Sequence, residues 1–178
     1  LAGGRIERTL SSPEIALAQP FALPRPYDLD GDGTMETETM RYRARSPQAV
    51  LRTGDRLIAG FSGFVDGPRS VSIYVPGAIV SWSLSDLDAP PLVMIPEELN
   101  PQEIRLLDDG RAIAVCTGAL ETTGGARATS EGSILFFDPE TLAIESKIGM
   151  GRFAPGSALF ASGNLVVASL AKAPVRIV

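Results

Sequence analysis

The residues best suited to chemistry form the run Asp28-Leu29-Asp30-Gly31-Asp32-Gly33-Thr34-Met35-Glu36. Aspartates at alternate positions of a tight loop converge on one point, and a hard cation such as calcium takes about six to eight oxygen ligands. Asp28, Asp30 and Asp32 supply carboxylates, Gly33 permits the sharp turn, Thr34 offers its carbonyl, and Glu36 adds a carboxylate or holds a water. The expected ligand set is therefore Asp28, Asp30, Asp32, Thr34 and Glu36, with Ca2+ in a structural role that pins a long loop. The alternative is an acidic turn that stays unloaded because it lacks a strong final ligand.

Elsewhere the composition excludes more than it offers. The chain has no histidine, which removes the Ser-His-Asp triad, His-ligated zinc or haem, and the usual general base near neutral pH. Its one cysteine, Cys116, lies in the apolar run Ala112–Cys116 and reads as a small buried hydrophobe with no imidazole to activate it. Gly124-Gly125 lacks the Lys and Ser/Thr of a phosphate loop. No catalytic residue and no organic cofactor are expected from these residues.

The 178 residues are 44% hydrophobic, enough for a folded domain with a real core. A formal charge of -5 and the lack of a long basic stripe argue against nucleic acid as the main partner. No apolar run reaches the roughly 18 residues that would span a bilayer. Arg41, Arg43 and Arg45 alternate along a predicted strand, Thr37 to Arg45, and share a face with Thr37 and Thr39. That face is solvated, or, on the sharper reading, an anion or partner site. Gln19 to Pro26 holds three prolines and reads as extended.

These residues must be positioned by a repeat. Pro47, Pro101 and Pro155 are 54 apart, and Gly77 through Leu87 aligns with Gly132 through Leu142 at an offset of 55. A fixed period of this kind marks one supersecondary unit copied along the chain. Each unit opens on an X-Pro step, which favours extended backbone. A short apolar strand follows (Ala49–Leu51, Ile104–Leu107, Ala158–Phe160), then a polar turn at Thr53-Gly54-Asp55, Asp108-Asp109-Gly110 or Ser162-Gly163-Asn164. A more apolar strand answers it: Leu57–Gly60, Ala112–Cys116 and Leu165–Ala168. After insertions at Phe61–Pro76 and Thr117–Glu131 come third strands at Ile79–Leu84 and Ile134–Phe137, then fourth strands near Leu92–Ile95 and Ala143–Ile148. Val175–Val178 reads as the third strand of the last unit. No window shows helical periodicity.

Four short antiparallel strands per repeat is the grammar of a β-propeller blade. The run Gly132-Ser133-Ile134-Leu135-Phe136-Phe137-Asp138-Pro139-Glu140-Thr141-Leu142 resembles the YVTN and lactonase-type propeller repeat, although Ser83 replaces the turn aspartate in the earlier unit. The acidic loop is similar to the Asp-x-Asp-Gly-Asp-Gly loops of extracellular β-proteins, including FG-GAP-type propellers. It departs from an EF-hand in having Thr39 at the last ligand position and no expected flanking helices. The resemblance implies an all-β fold, a β-propeller fragment of four-stranded antiparallel blades. Its parts are an N-terminal segment (1–45) with the acidic loop and an outer strand, blades at 46–99 and 100–153, and an incomplete blade at 154–178. Further blades, from the same protein or another chain, are then expected to close the ring. A β-sandwich is the alternative architecture.

Loops on one rim of a rigid scaffold commonly carry function. The insertions place Phe64, Asp66, Arg69 and Tyr74 on one rim sector with Glu121 and Arg127, the candidate partner-binding residues. The corresponding link near Leu170–Pro174 is short. The expected function is a non-enzymatic, extracytoplasmic binding or scaffold module that engages a protein or cell-surface component. Export is expected from the calcium-type loop and from Leu1-Ala2-Gly3-Gly4, which looks like a signal cleavage region. The alternative is a lactonase-like or other propeller enzyme with its catalytic residues in further blades. At the start of the first strand this chain offers Gln48, Gln102 and Ser157, which are polar but not acid/base groups.

Overall fold

The computed structural model describes residues 8–66, 73–96, 99–121, 125–161, 163–171 and 175–178, with Val65 and Asp66 described by backbone only. Among them the chain is all-β and antiparallel, with no helix and no closed barrel. A long hairpin comes first, β1 (Glu14–Tyr27) with β2 (Glu36–Arg43). A four-stranded sheet follows, β3 (Pro47–Thr53), β4 (Arg56–Phe61), β7 (Ala78–Ser83) and β8 (Leu92–Met94), in the order β3-β4-β7-β8. Between its second and third strands lies a small hairpin, β5 (Phe64–Asp66) with β6 (Ile73–Tyr74).

The same plan recurs one period later. Strands β9 (Pro101–Leu106), β10 (Ala112–Cys116), β13 (Gly132–Phe137) and β14 (Ile144–Gly151) pair in the order β9-β10-β13-β14. The inserted hairpin is β11 (Leu120–Glu121) with β12 (Arg127–Ala128). A three-stranded sheet closes the described residues, β15 (Pro155–Ala161), β16 (Asn164–Ser169) and β17 (Arg176–Ile177). The three hairpin turns fall where the polar turn signals place them, with Gly54, Gly110 and Gly163 at positive φ; Ser162 lies outside the described residues.

The sheets stack through alternate faces. In the first sheet Ala59, Val80 and Trp82 pack on Ile15, Leu23 and Tyr42 of the β1–β2 hairpin. From its other face Ile58, Ile79 and Met94 meet Ala112, Ala114, Leu135 and Phe137 of the second. Ile113, Val115, Ile134 and Phe136 then leave the far side of the second sheet to meet Ala158, Leu165 and Val167 of the third. Burial on both faces explains the nearly continuous apolar runs of β4, β10 and β13. At the two stacks between repeat units a glycine admits the next unit's proline. A Cβ on Gly77 would stand 2.4 Å from Pro101 Cδ, and one on Gly132 would stand 2.6 Å from Pro155 Cδ.

Two expectations are revised. The residues before the repeat prolines are not extended: Ser46, Asn100 and Ala154 have φ of 57°, 66° and 54°. Each sits in a corner that its own carbonyl closes, accepting from the N–H of Ser62, Thr117 or Leu170 at 3.1, 3.0 and 2.9 Å. Second, the alternation along Thr37–Arg45 breaks. Thr39 and Tyr42 are buried while Met40 is 45% exposed, because Met40 falls at a register shift between the pairs Phe21↔Thr39 and Ala16↔Arg41. The Thr39 hydroxyl donates to the Arg41 carbonyl at 2.6 Å there. This segment, expected as an outer strand, is β2, and it pairs with β1, which also contains Gln19–Pro26.

Candidate binding cleft and metal loop

The acidic run is the connection between β1 and β2, closed at its base by the pair Tyr27↔Glu36. The loop folds on its own carboxylates. Asp28 accepts from the N–H groups of Gly31 at 2.7 Å and Gly33 at 3.0 Å through its two oxygens. Asp30 Oδ1 accepts from Asp32 N at 3.1 Å, and Asp32 Oδ1 from Thr34 N at 2.7 Å. Glu36 Oε2 reaches back to Leu29 N at 2.9 Å. Gly31 and Gly33 have φ of 85° and 89°, conformations that side chains with a Cβ resist.

The result gathers Asp28, Asp30, Asp32 and Glu36, with one carboxylate oxygen from each lying within 4.8 Å of the others. Four like charges at this distance repel, and the inward N–H groups offset that only in part. The hydrogen bond from the Thr34 N–H holds the Asp32 carboxyl below its ordinary value. Carboxylate oxygens have lone pairs to spare beyond one N–H each, so this all-oxygen donor set suits a hard divalent cation. Thr34 is seen here as a hydrogen-bond donor to Asp32.

The second constellation joins three segments distant in sequence. The β5–β6 and β11–β12 hairpins and the middle of β1 enclose a cleft of about 420 Å³. Phe21, Ala22 and Pro24 come from β1, Tyr74 from β6, Ala119 and Leu120 from the start of the second hairpin, and Leu99, Glu121 and Thr129 complete the wall. The chain enters the two hairpins through matching glycines. Gly63 and Gly118 have φ of 67° and 80°, and a Cβ there would stand 2.2 Å from Val75 O or 2.4 Å from Glu131 O. Phe64 buttresses Tyr74 edge-to-face, with centroids 5.6 Å apart and planes at 67°. Arg127 pairs with Glu121 across the second hairpin.

Four candidate partner residues are thus brought to one place: Tyr74 and Glu121 line the cleft, while Phe64 and Arg127 hold them. Arg69 and the Asp66 side chain lie outside the described residues. Phe21, Pro24 and Leu99 were not signalled by the repeat. The signal available in the sequence is Phe21 among prolines, an aromatic in a stretch that otherwise reads as extended. Cys116 is fully buried in the core between the first and second sheets. Gln48 and Gln102 meet at the starts of β3 and β9, with Gln102 Nε2 donating to Gln48 Oε1 at 3.0 Å. No protein-family model matches the chain, and no curated protein matches it in sequence.

Proposed function

We propose that this chain is part of an exported β-propeller of the YVTN type that acts as a binding module and takes its partner at the cleft between the inserted hairpins. The observation that carries the binding role is convergence. Two insertions a repeat apart and the β1 strand contribute walls to one mostly apolar cleft of about 420 Å³, within the usual range for ligand sites. Its apolar floor and the Glu121–Arg127 pair at its side match the pattern of an apolar anchor pocket with a polar border.

Two four-stranded meanders of one order, stacked face to face at a fixed offset, support the propeller reading. On it, residues 46–99 and 100–153 are blades, 154–178 part of a third, and 1–45 a preceding segment. Propellers close with about four to eight blades, so further blades complete the ring. The outward face of the third sheet fits a next blade. Leu159, Val166 and Ile177 form one row across it, with Leu159 and Ile177 56% and 69% exposed. Ile58 and Ile113, the equivalents of Val166 in the two preceding sheets, are covered by the following sheet. In the acidic loop Ca2+ would be held by Asp28, Asp30, Asp32 and Glu36, with the Thr34 carbonyl as a further oxygen, and would fix the end of the β1–β2 hairpin.

Photo-crosslinking tests the binding role. A benzophenone amino acid at Leu120 is expected to capture one protein or surface component on intact cells, and the yield should fall when Tyr74→Ala is added. Equal capture from a benzophenone at Val50, which is exposed on β3, would refute a role for the cleft.

A further inference from the structure

The cleft between the inserted hairpins runs along the edge of β11. Ala119, Leu120 and Glu121 all line it. Successive residues of a strand point to opposite faces, so a cavity on one face would be lined by alternate residues. Three in a row place it against the backbone. Arg127 and Ala128 of β12 take no part in the wall. Leu120 pairs with Ala128, and the Thr129 N–H donates to the Ala119 carbonyl at 2.9 Å just outside that pair. This is the kind of antiparallel pair in which neither residue turns its backbone groups toward the other. The Leu120 N–H and carbonyl therefore point away from β12, to the edge along which the cleft runs.

The first hairpin is built alike, but its edge is closed. There the Val75 N–H donates to the Gly63 carbonyl at 3.0 Å, outside the pair Phe64↔Tyr74, so Phe64 also turns its backbone outward. The Phe64 N–H donates to Ser62 Oγ at 3.2 Å, and its carbonyl accepts from Ser46 Oγ at 3.3 Å. Leu120 has no such cap. Its N–H and carbonyl make no hydrogen bond among the described residues, and the residue is half-buried in a wall shared with Phe21, Tyr74 and Leu99. A donor and an acceptor on one strand residue are the contacts that an added strand takes up. A small apolar molecule would leave both unmet. We propose that the partner at this cleft is an extended polypeptide segment that adds to β11 as a further strand. Its backbone bonds the Leu120 N–H and carbonyl, and an apolar side chain enters among Phe21, Tyr74 and Leu99. This rests on the binding role proposed for the cleft and names the class of its partner.

The probes are short linear peptides, enriched by phage display on the full chain and then synthesised free of phage, with indole as a small apolar comparison. Both are titrated into the ¹⁵N-labelled chain. Saturable peptide binding is expected, with shifts at Tyr74 and Leu120 and slowed hydrogen exchange at the Leu120 amide. N-methylation of the peptide residue whose N–H meets the Leu120 carbonyl should weaken binding by about tenfold, the effect of one lost hydrogen bond. N-methylation of either neighbour, whose N–H points the other way, should change it little. Leu120→Pro removes the outward N–H and takes no bond from β12, and it should weaken binding by a similar factor. If that variant fails to fold, the N-methyl scan decides. Peptides that bind with a flat N-methyl scan would overturn strand addition and leave the cleft a pocket for side chains. Saturable indole binding with no peptide enriched would overturn it too, while the cleft keeps a binding role for a small molecule. Binding of neither probe would sink the cleft along with it.

Discussion

Gln102 Nε2 donates to Gln48 Oε1 at 3.0 Å, and the two glutamines are 54 residues apart, one repeat. Equivalent side chains of consecutive units therefore touch, which happens when units stack side by side with little relative displacement. The same register recurs where Gly77 meets Pro101 and Gly132 meets Pro155. The first two units are thus joined by a polar contact at the starts of their first strands, and both junctions carry a glycine–proline contact.

The glycine contact is the stiffer of the two. A methyl at Gly77 would lie 2.4 Å from Pro101 Cδ and 2.7 Å from the Phe61 carbonyl, and one at Gly132 would lie 2.6 Å from Pro155 Cδ and 2.7 Å from the Cys116 carbonyl. Carbonyls within paired strands cannot yield without breaking a ladder. Gly77→Ala and Gly132→Ala should each cost about 2 kcal/mol or more, measured by urea denaturation. Gly149→Ala on β14, where nothing stands within 4 Å, should be neutral or slightly stabilising.

Much of this was legible in the sequence, and the misses are instructive. Strand and turn positions followed from apolar runs broken by Gly and Asp, because those residues act locally. The missing turn aspartate at position 83 has a structural answer. Asp138 Oδ1 caps the N–H groups of Glu140 and Thr141, whereas in the earlier unit Asp86 Oδ1 accepts from Asp88 and Ala89 and Ser83 donates to Asp55. The job moved three residues along. The left-handed corners at Ser46, Asn100 and Ala154 were hidden because only Asn among them is a residue that favours that region. The acidic loop was legible because its four clustered carboxylates lie close together in sequence. The cleft was legible only in part, since the β1 wall depends on a register shift that no local pattern encodes.

The corner at Ala154 gives a sharper test. Its φ is 54° and the residue is fully buried. A β-branched side chain in that region is strained by its own backbone and has no room. Ala154→Val should cost about 2 kcal/mol or more. Ala154→Gly should change stability by less than about 1 kcal/mol, because relief of strain offsets the lost methyl and the freer unfolded chain. If the two variants melt alike, the corner is not a constraint.

Acid should weaken the fold through exposed aspartates. Hydrogen bonds from the Ser83 and Ser85 hydroxyls hold Asp55 below its ordinary value of 3.8, and the Arg111 side chain does the same for Asp109. A carboxylate with a lowered folded value adds stability that is present above the unfolded value and lost as pH falls through the folded one. Stability is thus expected to hold from neutral pH to about pH 4 and decline below it. In a carboxyl-carbon titration Asp55 should titrate below 3.8, and Ser83→Ala should move it back up. An Asp55 that titrates normally in the parent chain would refute the Ser83 contact.

The metal loop makes the last prediction. With a cation that binds only the folded state, stability rises by about 2.7 kcal/mol at a hundredfold excess over Kd. Adding Ca2+ should therefore raise the melting temperature, and a chelator should restore the lower value. Mg2+ should do less, since it demands tighter octahedral geometry and sheds water reluctantly. Asp30→Asn removes one of the four clustered carboxylates while keeping an acceptor for the Asp32 N–H. It should abolish most of the calcium response and, by reducing repulsion, leave the metal-free protein as stable as the parent or more so. A calcium shift of the same size in Asp30→Asn would place the ion elsewhere, and a parent chain indifferent to calcium would leave the loop a self-capped acidic turn.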